Sequence, residues 1–215
     1  MSAEKGIAIA IDGPAASGKS SVARRVAQEL GFVFVNSGAM YRAFAWQVLQ
    51  AGKDANDEES VLELLHSTQF ECGEKDGVGT VLVNGVDPGE QLTSDQVNAT
   101  VSAIATYPEV RERLVAAQRA YREHCNVVME GRDIGSVVFS DTPYKYYIDA
   151  SPEVREQRRK AQGIVDSIAD RDRQDSTRKA SPLVAAEGAV VVDSSDLSLE
   201  EVVAVVLRGI RKHLA

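Results

Sequence analysis

Cysteine and histidine are scarce in this chain, and their scarcity removes whole classes of chemistry. Of 215 residues only Cys72 and Cys125 are cysteines, too few for a disulfide framework and without metal-site spacing, so both are expected as reduced, inert thiols. The three histidines, His66, His124 and His213, lie far apart. None has a Cys, His or carboxylate at ligand spacing, which puts them on helix surfaces rather than on a metal. Long apolar runs are missing as well: nothing approaches the ~20 residues that span a bilayer. Met1 to Lys5 has neither the basic nor the apolar region of a signal peptide, so a cytoplasmic protein is expected. Positive charge is in deficit, with 24 Lys and Arg against 32 Asp and Glu and a net charge of −8. That excludes a protein whose business is binding nucleic acid or anionic membrane. Repeats and low-complexity segments are absent, which excludes a solenoid or a disordered tail. With 44% hydrophobic residues, the chain suits one α/β domain, expected as a monomer, with room for a small insertion.

What is present is a phosphate-binding signature. Gly13-Pro14-Ala15-Ala16-Ser17-Gly18-Lys19-Ser20 fits G-x-x-x-x-G-K-[ST] without mismatch. Ile7 to Ile11 is apolar at every position, as a strand buried on both faces of a parallel sheet should be, and it delivers the chain to a loop at the strand's carboxyl end. Gly13 and Gly18 let successive N–H groups turn toward a phosphate, and the helix that begins near Lys19 aims its positive end at the same anion. Lys19 would reach the β- and γ-phosphates and Ser20 would offer a hydroxyl to Mg²⁺. Ser21 opens the helix proper, which carries Val22, Ala23, Val26, Ala27 and Leu30 on one face and stops at Gly31.

The remaining chain alternates strands and helices. Phe32 to Val35 reads as a strand leading into Ser37, an expected N-cap, with Tyr41 and Arg42 on the first turn of the helix that follows. Asn56 with Glu59 reads as a capping box. Between residues 60 and 95, Gln69 to Cys72 and Thr80 to Val83 are β-like, and Asn84-Gly85 signals a hairpin, so a small α+β insert is expected there. Ser94-Asp95 and Pro108 start helices; Arg111 and Arg113 fall off the apolar face of the second. Val127 to Met129 is a strand that opens on Glu130-Gly131-Arg132-Asp133-Ile134-Gly135, a glycine-flanked loop with the look of a binding site. Tyr144 to Ala150 and Val190 to Asp193 complete five strands, and Ser198 with Glu201 caps the last helix. Arg155, Arg158, Arg159, Lys160, Arg171, Arg173 and Arg178 crowd one region of an acidic chain, which suggests a clamp for phosphates. The expected architecture is a P-loop NTPase-like, doubly wound, parallel five-stranded sheet with helices on both faces. Its core is 1–59 and 96–215, with an insert at 60–95 and a short basic lid at about 157–172.

Taken together, these stretches resemble the bacterial type of cytidylate kinase, within the nucleoside monophosphate kinases, along nearly the whole chain. The resemblance rests on Ile11 to Ser20, Ser37 to Arg42, Gly131 to Phe139, Asp149 to Glu153, Arg171-Asp172 with Asp175 and Arg178, and Pro182-Leu183. It implies ATP as donor, CMP or dCMP as acceptor, and Mg²⁺. It also implies that Ser37 and Arg42 hold the acceptor phosphate, that Ser102, Arg111, Arg132 and Asp133 contact cytosine and sugar, and that Arg171, Asp175 and Arg178 surround the phosphates from the lid. The segment 60–95 would be the monophosphate-binding insert. The chain departs from the family in having Asn36 where Asp is usual and a shorter stretch between Arg159 and Arg171.

The missing catalytic His or Ser triad agrees with this chemistry. A phosphate monoester has its second pKa near ~6 and is already ionised at neutral pH, so the nucleophile needs no base. It needs alignment and positive charge, for which Lys19, Arg132, Arg171 and Arg178 are the candidates. From the residues alone two other readings stay open: a P-loop kinase for another small acceptor such as shikimate or a different monophosphate, and a nucleotide-dependent switch without an acceptor.

Overall fold

The computed structural model describes residues 5–161 and 183–214. The strands are β1 (Ala8–Asp12), β2 (Val33–Asn36), β3 (Phe70–Lys75), β4 (Val78–Val83), β5 (Val127–Gly131), β6 (Lys145–Asp149) and β7 (Val190–Asp193). The helices are α1 (Lys19–Leu30), α2 (Ser37–Gln50), α3 (Glu58–Ser67), α4 (Asp95–Ile104), α5 (Pro108–Ala120), α6 (Pro152–Ala161) and α7 (Leu199–Leu214).

All the strands join one sheet in the order β3-β4-β2-β5-β1-β6-β7. The five expected strands form its parallel part, with β1 central between β5 and β6. Every residue of β1 and β5 is buried, and alternate side chains serve two separate cores. Ala8, Ala10, Val127 and Met129 pack toward α2, α4 and α5, against Met40, Phe44, Ile104 and Leu114. Ile9, Ile11, Val128 and Ile148 face α1 and α7, against Val22, Val26, Val206 and Ile210. Helices on both faces force Ala8–Ile11 of β1 and Val127–Met129 of β5 to be apolar at every position, and right-handed crossovers bring the strand ends to one edge.

The sheet has seven strands rather than five. The β-like pieces of 60–95 form an antiparallel hairpin, β3–β4, which extends the main sheet instead of standing apart from it. Its two-residue turn is Asp76-Gly77, both with positive φ, while Asn84-Gly85 closes only the Val83–Val86 bridge. The join to the sheet is narrow. Phe34 N–H donates to Gly77 O at 2.9 Å, and Phe34 pairs with Val78.

Helix starts agree with the expected caps at Ser94 and at Ser198, where Ser198 and Glu201 exchange backbone N–H bonds at 2.8 and 3.3 Å. Two others move by one residue. Asn36, not Ser37, caps α2 by accepting from Ala39 N–H at 3.0 Å, and Asp57, not Asn56, caps α3. In each pair the capping residue is the one with extended backbone, φ −93° at Asn36 and −88° at Asp57, from which a side chain reaches the third N–H of the helix. Cys72 and Cys125 are free thiols, and His66 pairs with Glu109 on the surface. Most of the expected lid lies outside the described residues, as do Arg171, Asp175 and Arg178; residues 157–161 end α6.

Tyr121 fastens the hairpin to the core. Its buried hydroxyl lies 2.8 Å from Thr80 O and 3.1 Å from Gly73 O, one carbonyl on each hairpin strand. Tyr121→Phe is expected to cost about 1 kcal/mol, because it removes the donor to two part-buried carbonyls without adding bulk. Urea denaturation measures that loss, and hydrogen exchange should quicken in Phe70–Val83 more than in β1 or β5.

Candidate active site

The loop after β1 is built around its backbone. Ala16 sits in the left-handed region at φ 59°, and Gly13 runs so close to β6 that a Cβ there would stand 2.1 Å from Ile148 O. Side chains from elsewhere satisfy the loop's outward carbonyls. Lys19 Nζ donates to Pro14 O at 3.0 Å, Arg155 Nη1 to Ala15 O at 3.4 Å, and Arg158 Nη1 to Ser17 O at 3.2 Å. Ser194 Oγ also donates to Ser17 O, at 3.0 Å, and Arg158 Nη2 holds Ser194 O at 2.8 Å. Part of the expected arginine clamp therefore has a different task. Arg155 and Arg158 brace the loop from behind, Lys160 lies at the surface near Glu156, and Arg159 faces the cleft.

A cleft of about 330 Å³ opens above the loop at the carboxyl ends of β1, β2 and β5. Ala15, Ala16 and Gly18 to Ser21 form one end of it; Gly13, Pro14 and Ser17 lie beneath. Ser20 Oγ donates to Glu130 Oε1 at 2.9 Å, and Lys19 Nζ is 4.0 Å from Glu130 Oε2. Glu130 is 4% exposed, and the Ser20 hydroxyl and the Lys19 ammonium offset its charge. This oxygen set suits Mg²⁺, a hard ion that takes one or two protein oxygens and completes its shell with phosphate and water. Among the described residues there is no cluster of three or more His, Cys, Asp or Glu side chains able to hold a metal unaided.

The other end of the cleft gathers the expected acceptor residues. Ser37 and Arg42 come from the first turns of α2, Ser102 from α4, and Arg132 and Asp133 from the loop after β5. Gly131 lets that loop approach α2, since a Cβ there would meet Ser37 Oγ at 2.5 Å. Arg111 is buried, not turned to solvent as its helix position suggests. It pairs with Asp133, donates to Ala105 O at 3.3 Å and lies 5.6 Å from the Tyr41 ring centre. The ion partner of Asp133 is thus Arg111 rather than its neighbour Arg132.

Several residues of the site were not anticipated. Asn98 and Val101 line the cleft beside Ser102, on one face of α4. Glu130 ends an apolar strand, and that strand's place beside β1 is a long-range fact. Asp12 closes β1 and is 3% exposed, with Oδ1 accepting from Ile134 N–H at 2.9 Å and Oδ2 from Gly135 N–H at 2.8 Å. Burial pushes its carboxyl up to about 6, against the pull of those two N–H groups; nearby Asp133 adds to the rise and Lys19 opposes it. No residue from 60 to 95 lines the cleft.

Comparison with solved structures shows that the fold is shared with other proteins. The crystal structure of TT1252 from Thermus thermophilus superposes with a TM-score of 0.50 at 19% identity, covering 99% of this chain and 100% of that one. A sugar kinase from Janibacter sp. matches with the same TM-score at 16% identity, over 96% and 95%. Sequence comparison is more specific. The pattern described as cytidylate kinase matches residues 9–212. A cytidylate kinase of Oceanobacillus iheyensis is 40% identical over 98% of this chain and 96% of its own length, and one of Pelotomaculum thermopropionicum is 43% identical over 93% of each. The chain belongs to the cytidylate kinase family.

The buried Asp12 carboxyl carries a stability consequence of definite sign. Its folded-state value of about 6 lies above the ordinary 3.8, so folding favours the protonated form. The contribution is fully present below pH 3.8 and is lost as pH rises through about 6. Asp12→Asn has no such term. Between about pH 5 and about pH 7.5 the wild type should lose about 1 kcal/mol relative to that variant, read by urea denaturation at the two values.

Proposed function

We propose that this protein transfers the γ-phosphoryl group of ATP to CMP or dCMP, giving CDP or dCDP. The observation that carries the reading is the joining, in one cleft, of the P-loop end at Gly18–Ser21 with a buried Arg111–Asp133 pair. A switch needs only the first, whereas a kinase for an unrelated acceptor has no use for the second. Family membership supports the same reading over both.

Two polyanions must be brought together and aligned for in-line attack by an acceptor phosphate oxygen on the γ-phosphorus. The loop N–H groups and Lys19 take the donor phosphates. Mg²⁺, held through Ser20 with Glu130 behind it, would supply further positive charge to the donor phosphates. Ser37 and Arg42 receive the acceptor phosphate, and Arg132 and Arg159 add charge along the cleft wall. Arg171, Asp175 and Arg178 enter from the resemblance, as groups that complete the phosphate cage. Residues 60–95 would act as the monophosphate-binding insert indirectly, by carrying α4, whose Ser102 faces the acceptor. One chain supplies the whole cleft, so a monomer suffices. No described helix is long and apolar enough to cross a membrane, which fits the cytoplasmic pool of free nucleotides.

Asp133 gives the cleft a means of choosing cytosine. The two pyrimidines are nearly isosteric, but cytosine offers an N4 amine beside an N3 acceptor and uracil reverses that polarity. A carboxylate accepting from N4 would face the O4 of uracil, leaving two buried acceptors unpaired at about 1–3 kcal/mol each.

Two measurements test this function. A coupled assay of ADP release, run with each nucleoside monophosphate in turn, should show CMP and dCMP as the preferred acceptors. In that assay Lys19→Met should lose phosphoryl transfer by on the order of 3 kcal/mol or more in a folded protein, and near-normal turnover would refute the role of the loop. Asp133→Ala should lose kcat/KM for CMP about 10-fold or more beyond its loss for UMP. An equal loss for both would make Asp133 a structural partner of Arg111 only.

A further inference from the structure

Asp12 does not itself line the cleft, yet it lies between the two loops that make it. The residue after it, Gly13, begins the phosphate loop. The two N–H groups it accepts, from Ile134 and Gly135, belong to the residues directly after Asp133. Those residues open a short irregular turn, Ile134–Val138, in which Val137 and Val138 N–H return to Asp133 O at 2.8 and 3.2 Å. The first N–H groups of such a turn have no acceptor within it. A carboxylate can take both at once, because each oxygen is a full acceptor; an amide offers one acceptor and one donor, and the donor would face an N–H.

The ladder between β1 and β5 ends at Asp12 and Gly131, so the backbone pairing does not reach Arg132 or Asp133. Arg111 holds the Asp133 side chain from α5, outside the sheet. Ser20 and Lys19 reach Glu130 where the strand ends, and beyond it Asp12 ties the backbone of Ile134 and Gly135 to the start of the phosphate loop. The charged groups facing Asp12 are Asp133 and Lys19, one from each side of the cleft. A buried carboxylate that is ionised at neutral pH costs folding stability, and such a cost persists where a function needs the group.

We propose that Asp12 is a positioning residue whose carboxylate holds the acceptor-base loop in register with the phosphate loop, and so sets how sharply the enzyme separates CMP from UMP. The proposal rests on the assignment of Asp133 to the acceptor base. The test compares Asp12→Asn, which keeps shape and volume, with Asp133→Ala in the full chain. The readout is the ratio of kcat/KM for CMP to that for UMP, in which the titration of the acceptor phosphate cancels. Asp12→Asn should lower that ratio by about tenfold, the equivalent of one misplaced hydrogen bond, through a raised KM for CMP. ATP affinity, measured alone, should change by less than about threefold, since the phosphate loop keeps its other braces. If Asp133→Ala collapses the ratio while Asp12→Asn leaves it unchanged, the positioning role is overturned and the base assignment stands. If neither changes the ratio, the base assignment fails and the positioning role with it. Should Asp12→Asn not fold, the wild type answers. The Ile134 and Gly135 amides should exchange slowly in the free protein and slow by about a further tenfold with CMP but not with UMP. Fast exchange, or equal protection by the two nucleotides, overturns the proposal.

Discussion

A loop that offers its backbone N–H groups to phosphate must turn its carbonyls the other way, and those carbonyls are then buried against the protein. Burying an unpaired carbonyl costs about 1–3 kcal/mol, so the loop is possible only where donors wait behind it. Here the donors are Arg155 and Arg158 of α6, Ser194 just past β7, and Lys19 itself. This requirement sets the place of elements distant in sequence. α6 must follow β6 with its arginines turned inward, and the end of β7 must reach Ser17. Gly13 meets the same demand from the other side, where any Cβ would collide with the backbone of β6.

The acidic composition and the anionic ligands are reconciled by the way charge is sorted. Negative charge is spread over the exterior, whereas the buried carboxylates each have assigned partners: Glu130 with Ser20 and Lys19, Asp133 with Arg111, Asp12 with two backbone N–H groups. Arg42, Arg132 and Arg159 line the cleft wall, where on the proposed function they would meet phosphates. Lys19 rests on the carbonyl of Pro14 within its own loop, so the charge that meets the donor is already aligned before ligand arrives.

What could be read from the sequence follows the range of the interaction involved. The phosphate loop, the buried strands around it and the caps at Ser94 and Ser198 are local features whose residue types state their own geometry. Adjacent rivals for one cap, Asn36 against Ser37 and Asn56 against Asp57, could not be separated, because the choice turns on which residue the tertiary fold holds in extended backbone. The edge pairing of β4 with β2 rests on a single residue pair and leaves little trace in composition. Arg111 reads as a surface residue on α5 until Asp133 is known to lie opposite. The partners of Glu130 and Asp12 escaped for the same reason: each is one carboxylate at the end of an apolar strand, and its partner is more than a hundred residues away.

The arrangement also explains why recognition of the acceptor base can be separated from the chemistry. The nucleophile arrives ionised, so no residue near the reacting phosphates has to exchange a proton with it, and the groups there act by charge and position alone. Charge of that kind does not distinguish one monophosphate from another. On the proposed function, discrimination would come from the far end of the cleft, where Asp133 is buried and a mismatched acceptor would be costly. A desolvated carboxylate is tolerable only with a fixed cation, which Arg111 supplies from α5. On the proposed function, the same pair that makes the pocket electrically stable would also make it selective, so that neutralising either residue should cost both properties.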